Sequence, residues 1–276
     1  MPIKRIIALS GLAMAFAGPV AAADLLVEAP ELPEVVETSG WYLRGDIGYV
    51  FGSKNKGNYD FYNIPFPGID DTHRFDHIDF DGAASFGVGV GYRFNEVFRA
   101  DLTLDYFKAD VDTKTRCPFQ TRVGLGMADP INGHCDFDGE SSAEIWNPMV
   151  NAYADLPKIG SITPYIGLGI GAALVNYDSL SVTQNCGDCP PGTPVFTSEN
   201  EGHSEWRLAG AAMVGAAYNI TDNTLLDIGY KYTRIGSGDA WGYDDQDSAA
   251  GATGVQSRDN GFDFHAVRVG VRYEFN

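Results

Sequence analysis

The chain has 276 residues, with 37 acidic against 19 basic side chains, a formal net charge of -18 and 44% hydrophobic residues. Such acidity excludes a nucleic-acid binder, whose phosphate contacts require clustered Lys and Arg, and 12% aromatic with only 20% charged residues excludes a disordered chain. Beyond the first twenty-odd residues no apolar run reaches the roughly 18 to 20 residues of a spanning helix, so a helical membrane protein is excluded too.

Lys4 and Arg5, an apolar stretch from Ile6 to Val20 and the small residues Ala21, Ala22 and Ala23 have the layout of a secretory signal over 1–23, cut after Ala23. Residues 24–39 carry Asp24, Glu28, Glu31, Glu34 and Glu37 with Pro30 and Pro33 and lack periodicity. They are predicted to be an acidic periplasmic leader.

From Trp41 onward, alternation of apolar and polar residues predicts strands with one oily face. Eight such segments occur, at 41–51, 84–94, 98–108, 145–156, 164–174, 205–218, 225–233 and 263–275. In the first, Trp41, Leu43, Ile47, Tyr49 and Phe51 alternate with Arg44, Asp46 and Gly48. In the fifth, Ile166, Leu168 and Ile170 alternate with Gly167, Gly169 and Gly171. The fourth, which contains Pro148, is the weakest.

A soluble sandwich alternates as well, and three features select a membrane barrel. Connectors of roughly 29 to 36 residues follow the first, third, fifth and seventh segments, but only roughly 3 to 7 follow the second, fourth and sixth, the asymmetry of outer loops and periplasmic turns. Oily-face aromatics gather at both ends, with Trp41, Tyr92, Phe94, Phe98, Tyr218, Tyr273 and Phe275 at the inner rim and Phe51, Tyr106, Trp146, Trp206 and Tyr232 at the outer. They form two girdles. The opposite face carries Arg44, Arg93, Arg99, Arg207, Lys231, Arg268 and Arg272 against Asp46, Asp101, Asp105, Asp155, Glu205, Asp227 and Glu274. Seven cations balance seven carboxylates, and in a lumen just wide enough for side chains they must pair or hold water. Interior Gly and Ala of the second, fifth and sixth segments leave room for the long Arg side chains. The predicted fold is all-β: an eight-stranded antiparallel up-and-down transmembrane β-barrel over 40–276, with four long outer loops at 53–82, 112–141, 179–204 and 238–262.

Gly40-Trp41-Tyr42-Leu43-Arg44-Gly45-Asp46-Ile47-Gly48-Tyr49 resembles the opening of the small outer-membrane β-barrel proteins of alphaproteobacteria, the opacity-type and OmpA-like surface antigens. The resemblance covers the signal, the leader and all eight strands. It implies residence in the Gram-negative outer membrane with extracellular loops. Val271-Arg272-Tyr273-Glu274-Phe275, followed by Asn276, resembles the C-terminal signal by which the barrel-assembly machinery takes up such proteins. The peptidoglycan-binding domain of full OmpA proteins is not expected. Family members are described as membrane-integrity proteins, surface antigens, narrow porins or haemin binders.

Among groups that could carry chemistry, Cys117, Cys135, Cys186 and Cys189 are disulfide candidates in an exported chain, local bridges 117–135 and 186–189 being the simplest of three pairings. Crossed bridges and a four-thiolate zinc site are the alternatives. Gly87-Val-Gly89-Val-Gly91 and Gly167-Leu-Gly169-Ile-Gly171 put every Gly on the lumen face with no helix to follow, so they pack strands and do not bind phosphate. His203, Ser204 and Glu205 are consecutive and point to alternating faces of a strand, which prevents a relay among them. His73 and His77, among Asp70, Asp71, Asp76, Asp79 and Asp81, read as a solvated acidic loop in preference to a cation or haem site. The four loops hold 19 acidic and 7 basic residues. Facing anionic lipopolysaccharide, they would bind it only through calcium or magnesium bridges, to which Asp239, Asp244, Asp245 and Asp247 could contribute. The expected function is non-enzymatic and needs no cofactor: a structural role in the envelope with surface interaction. A narrow porin is the alternative and a lipid A or phospholipid hydrolase the remote one.

Overall fold

The computed structural model describes residues 39–64, 68–127 and 133–275. The expected signal and, apart from Ser39, the expected leader lie outside the described residues. Those described form sixteen strands and two short helices: β1 (Gly40–Phe51), β2 (Ser53–Asn55), β3 (Gly57–Tyr62), β4 (Ile69–Arg74), β5 (His77–Phe80), β6 (Ala83–Arg93), β7 (Phe98–Arg116), α1 (Phe119–Gly124), β8 (Cys135–Asp155), β9 (Ile162–Tyr177), β10 (Leu180–Cys186), β11 (Thr197–Gly202), β12 (Ser204–Asn219), β13 (Thr224–Ile235), β14 (Gly238–Asp244), α2 (Asp245–Ala249), β15 (Val255–Asp259) and β16 (Phe262–Glu274). Eight of them close a ring in the order β1, β6, β7, β8, β9, β12, β13, β16 and back to β1, each antiparallel to its neighbours. This is the eight-stranded barrel that alternation predicts. Oily-face residues such as Leu168 and Leu208 stand 70% and 72% exposed, whereas Arg99 and Arg272 on the other face are 1% exposed. Outward residues are apolar because they meet lipid, and inward ones are polar because only other strands surround them.

The turns at the inner rim are short and locally satisfied. Asn95 Oδ1 accepts from the backbone N–H of Val97 and Phe98, and Thr221 Oγ1 accepts from those of Asn223 and Thr224. A side-chain oxygen thus does the work of a backbone partner, which lets two strands reverse in few residues. In β8, Pro148 has no N–H to give. The ladder to β9 lapses at 147 and 148 and resumes at Met149 opposite Gly171 without a change of register.

The strands depart from expectation at the outer rim. β7 and β8 continue as one hairpin up to Arg116 opposite Asp136. Ala109, Val111, Thr113 and Thr115 keep the inward parity while Lys108, Asp110 and Asp112 face out, so nothing in the pattern ends the strand. The connections expected as loops are largely strand. β5 pairs with β7, β10 with β8, β11 with β10, β14 with β11, β15 with β14, and β3 with β15 and β4. These pieces, three to seven residues each, are too short for period-two counting to separate from loop. They persist because each finds a neighbour's open edge. The ten residue steps from Tyr106 to Arg116 carry this outer tier along roughly 33 Å of strand beyond the outer girdle, at about 3.3 Å per residue.

Candidate functional site

Three layers fill the interior, stacked from the inner rim outward: a charged belt, an apolar plug and an open cavity. All seven predicted lumen cations have carboxylate partners, six of them in the belt and Arg207 higher, against the Tyr177 and Phe262 rings of the plug. Arg44 reaches Asp46 at 2.8 Å and Asp101 at 3.2 Å; Arg93 reaches Asp155 at 3.2 Å and Glu274 at 2.5 Å; Arg99 reaches Asp155 at 3.0 Å. Lys231 and Arg268 share Asp105 at 2.5 and 3.5 Å, and Arg272 lies between Asp227 at 3.6 Å and Glu274 at 3.4 Å. Arg207 has Glu205 at 3.6 Å, but its shorter partner, at 2.7 Å, is Asp259 from the fourth outer connection. Asp259 also accepts from Tyr177 Oη and the Gly261 N–H. No strand pattern marks Asp259, because it reaches the lumen from above.

The strand glycines seat rings as much as they clear space for arginines. A Cβ on Gly91 would strike Tyr42, one on Gly167 would strike Tyr153, and one on Gly215 would meet Tyr165. Those three tyrosines enclose Arg99, whose guanidinium carbon lies 3.9 Å from the Tyr153 centroid, 4.8 Å from that of Tyr165 and 6.0 Å from that of Tyr42. The belt therefore combines ion pairs with cation–π contacts in a narrow, buried space, where both are stronger than at a surface. Arg99 Nη2 and Arg272 Nη1 have no protein acceptor within reach among the described residues, which makes them seats for lumen water.

Above the belt, alternation continues inward with apolar residues. Val50, Phe107, Ile145, Val175, Ile235, Phe262 and Phe264 are buried, and Phe80 and Trp241 close in from the outer tier. Phe80 packs on Phe262 at 4.7 Å and on Phe264 at 5.7 Å, and Phe107 on Phe264 at 4.8 Å. Strand register sets this plug level with the outer girdle, since outward Tyr106 and Trp146 adjoin inward Phe107 and Ile145. Paired charge thus occupies the lumen below and packed aromatics occupy it above.

The third layer is a cavity of about 580 Å3 inside the outer tier. Thr113, Phe137, Leu180 and Asn200 line it together with Tyr59 and Phe75, and α2 adds Asp247 with its cap residue Asp244. Sequence reading missed it. The strands that enclose it come from four connections, and no one of them shows the enclosure.

The girdle residues face outward. Trp41, Phe51, Phe94, Phe98, Trp146, Trp206, Tyr218, Tyr273 and Phe275 are exposed, and Tyr92, Tyr106 and Tyr232 are half-buried among them. Neighbouring rings touch, as Trp41 and Tyr92 do at 5.3 Å and Tyr106 and Trp146 at 4.4 Å. The cysteines form the two local disulfides, Cys117–Cys135 and Cys186–Cys189. The first closes the tip of the β7–β8 hairpin beneath α1, and strand register sets Cys186 beside Cys135.

The remaining candidates are dispersed. His73 packs on Tyr59 and Phe61, whereas His77 lies on β5 opposite Lys114. Ser204 bonds to Asn176, and Glu205 accepts from the Asp239 N–H. Asp239 pairs with Arg258, and Asp244 caps α2 by accepting the Asp247 N–H, so the four aspartates of the fourth connection do not converge as one ligand set. Among the described residues no group of His, Cys, Asp and Glu is arranged to hold a metal ion.

A family model described as the outer membrane protein beta-barrel domain matches residues 9–275. An uncharacterized protein of Brucella melitensis is 46% identical over 267 residues, 92% of either chain. Outer membrane protein PagN of Salmonella typhimurium is 28% identical over 158 residues, 56% of this chain and 59% of PagN. A Rickettsia bellii protein named as a candidate adhesin is 24% identical over 200 residues, 71% of this chain and 72% of its own. Among solved structures, OprG from Pseudomonas aeruginosa aligns over 87% of this chain and 97% of its own, with a TM-score of 0.48 at 16% identity, and neisserial surface protein A over 87% and 100%, with a TM-score of 0.43 at 15% identity. The family locates the protein in the Gram-negative outer membrane. The closed eight-stranded ring, the match over almost the whole length and the Brucella relative lead to one conclusion: the chain belongs to the outer membrane protein beta-barrel domain family.

Proposed function

We propose that the protein is a non-enzymatic barrel that supports the envelope and presents its outer tier for surface interaction. The observation that carries this reading is the doubly occupied lumen beneath a β-structured tier standing clear of the membrane. A pore wants an open path, whereas the belt and plug put paired charges and packed rings in the lumen. The tier is built of paired strands, as suits a surface that must keep its shape for a partner. The Rickettsia bellii relative named as a candidate adhesin accords with such a role.

Lipopolysaccharide is the nearest partner for the outward face of this tier. Asp79, Asp81, Asp110, Asp112 and Glu140 crowd one side, and the Asp112 carboxyl is held above the ordinary range by partial burial and then by Asp81 and Glu140. Repulsion from lipid phosphates would be relieved by divalent cations shared between the two. The C-terminal strand β16, which closes the ring against β1, is the segment offered to the barrel-assembly machinery.

Planar-bilayer recording of the refolded protein tests the main reading. A silent membrane is expected, and steady unitary currents would reject it in favour of a narrow porin. For the lipid partner, binding to lipopolysaccharide vesicles should fall when divalent cations are chelated. Binding indifferent to chelation would dismiss cation bridging.

A further inference from the structure

The cavity of the outer tier has a chemistry of its own. Its walls are mainly aromatic and aliphatic, with Tyr59, Phe61, Phe75, Phe137, Leu180 and Phe196 among them. At about 580 Å3 it lies within the range of small-molecule sites. Among the described residues no Lys, Arg or His lines it, while two carboxylates, Asp244 and Asp247, do. Neither carboxylate makes an ion pair among the described residues, and the nearby Arg258 is engaged by Asp239 at 2.7 Å. An anionic amphiphile such as a fatty acid would bring its charge against two unpaired carboxylates. A neutral one would leave them unanswered. A cation would be attracted by both and by the faces of the surrounding rings.

We propose that this cavity binds an amphipathic organic cation, with an aromatic or alkyl body among Tyr59, Phe137 and Leu180 and an ammonium group between Asp244 and Asp247. This site is independent of the envelope role argued above and of any cation bridge to lipopolysaccharide, which involves the opposite, outward face of the tier.

Protonation supplies a second handle. Partial burial, and then the neighbouring Asp244 charge, raise the Asp247 carboxyl to about 6. The titratable or charged groups near these two carboxylates include Asp245 on the same turn, Tyr243 on β14, Asp60 and Tyr62 on β3, and Arg258 on β15. Below that pH one of the two carboxylates is neutral, and attraction for an ammonium weakens.

Three probes with one body and different heads decide the matter: a phenylalkyl amine, the matching alcohol and the matching carboxylate, titrated calorimetrically into the full-length protein in lipid nanodiscs. The amine is expected to bind about tenfold or more tighter than the alcohol, as one charged hydrogen bond allows, and the carboxylate weakest. The double substitution Asp244→Asn with Asp247→Asn keeps the volume and the helix cap, and should abolish the amine's advantage without affecting the alcohol. Ser198→Trp should fill the cavity and remove all three. Retained heat-modifiable mobility of the ring together with retained protease resistance of the outer tier shows that each variant is folded. For the unaltered protein, amine affinity should drop between about pH 7.5 and about pH 5 while alcohol affinity holds, because a carboxyl titrates in that window. Equal binding of the three probes, a preference for the carboxylate, or no binding of the amine by the unaltered protein would each overturn the proposal.

Discussion

At the scale of single residues, the lumen shows what a charge must have around it before it can be buried. Asp105 serves Lys231 and Arg268 together, so Asp105→Asn leaves two buried cations without their carboxylate. The expected cost is about 3 to 5 kcal/mol, the usual result of breaking one side of a buried pair. Urea unfolding of vesicle-inserted protein should show it, and a further Lys231→Met should recover part of the loss. Asp247 illustrates the opposite situation. Its carboxyl is raised to about 6 by partial burial and by Asp244, so the folded protein binds this proton more tightly than the unfolded chain does. Folding is then favoured as the pH falls through about 6, and the ionised form is a local burden above that value. Asp247→Asn should therefore raise the melting temperature of the outer tier most at about pH 7.5, less at about pH 5, and leave it unchanged only below about pH 4, where the unfolded chain is protonated as well. A gain that is the same at every pH would show that ionisation is not the cause.

At the scale of elements, the plug and the disulfides hold different parts of the tier. Phe80 belongs to β5 yet packs on Phe262 and Phe264 of β16. Phe80→Ala should cost about 3 to 5 kcal/mol through lost contacts and the cavity left behind, and should loosen β5 from the barrel mouth. Limited proteolysis after Phe75 would detect the loosening. The Cys117–Cys135 bridge closes a separation of 18 residues, and a loop of that length is stabilised by about 3 kcal/mol. α1, which it holds, contributes Thr121 and Gly124 to the cavity wall. Reduction should open this hairpin tip to protease while the barrel below retains its gel mobility before boiling. A barrel that melts on reduction would contradict the separation of tier from ring.

At the scale of the molecule, the barrel sorts its residues by what they face, and the sorting accounts for the acidity of the whole. The belt is neutral, the lipid face is apolar, and the excess of carboxylates lies in the outer connections. Unboiled protein should migrate faster than boiled protein, with a β-rich circular dichroism spectrum, and failure of both would refute the closed ring. All eight ring strands and the facing of their residues were legible in the sequence, because a strand between lipid and lumen writes its environment into every second residue. Trp41, Arg44 and Asp46 show this within a single segment. The plug was half legible. Phe107 already sat on the inward face, but its partners Phe80 and Trp241 come from connections without a usable period. Asp259, the outer-tier strands and the cavity were not legible at all, since they arise where short segments far apart in the chain share edges. Alternation along one strand thus determined the barrel, because that pattern is local. The filling of the lumen and the hollow above it were decided only by tertiary structure, because both depend on which distant segments pack together.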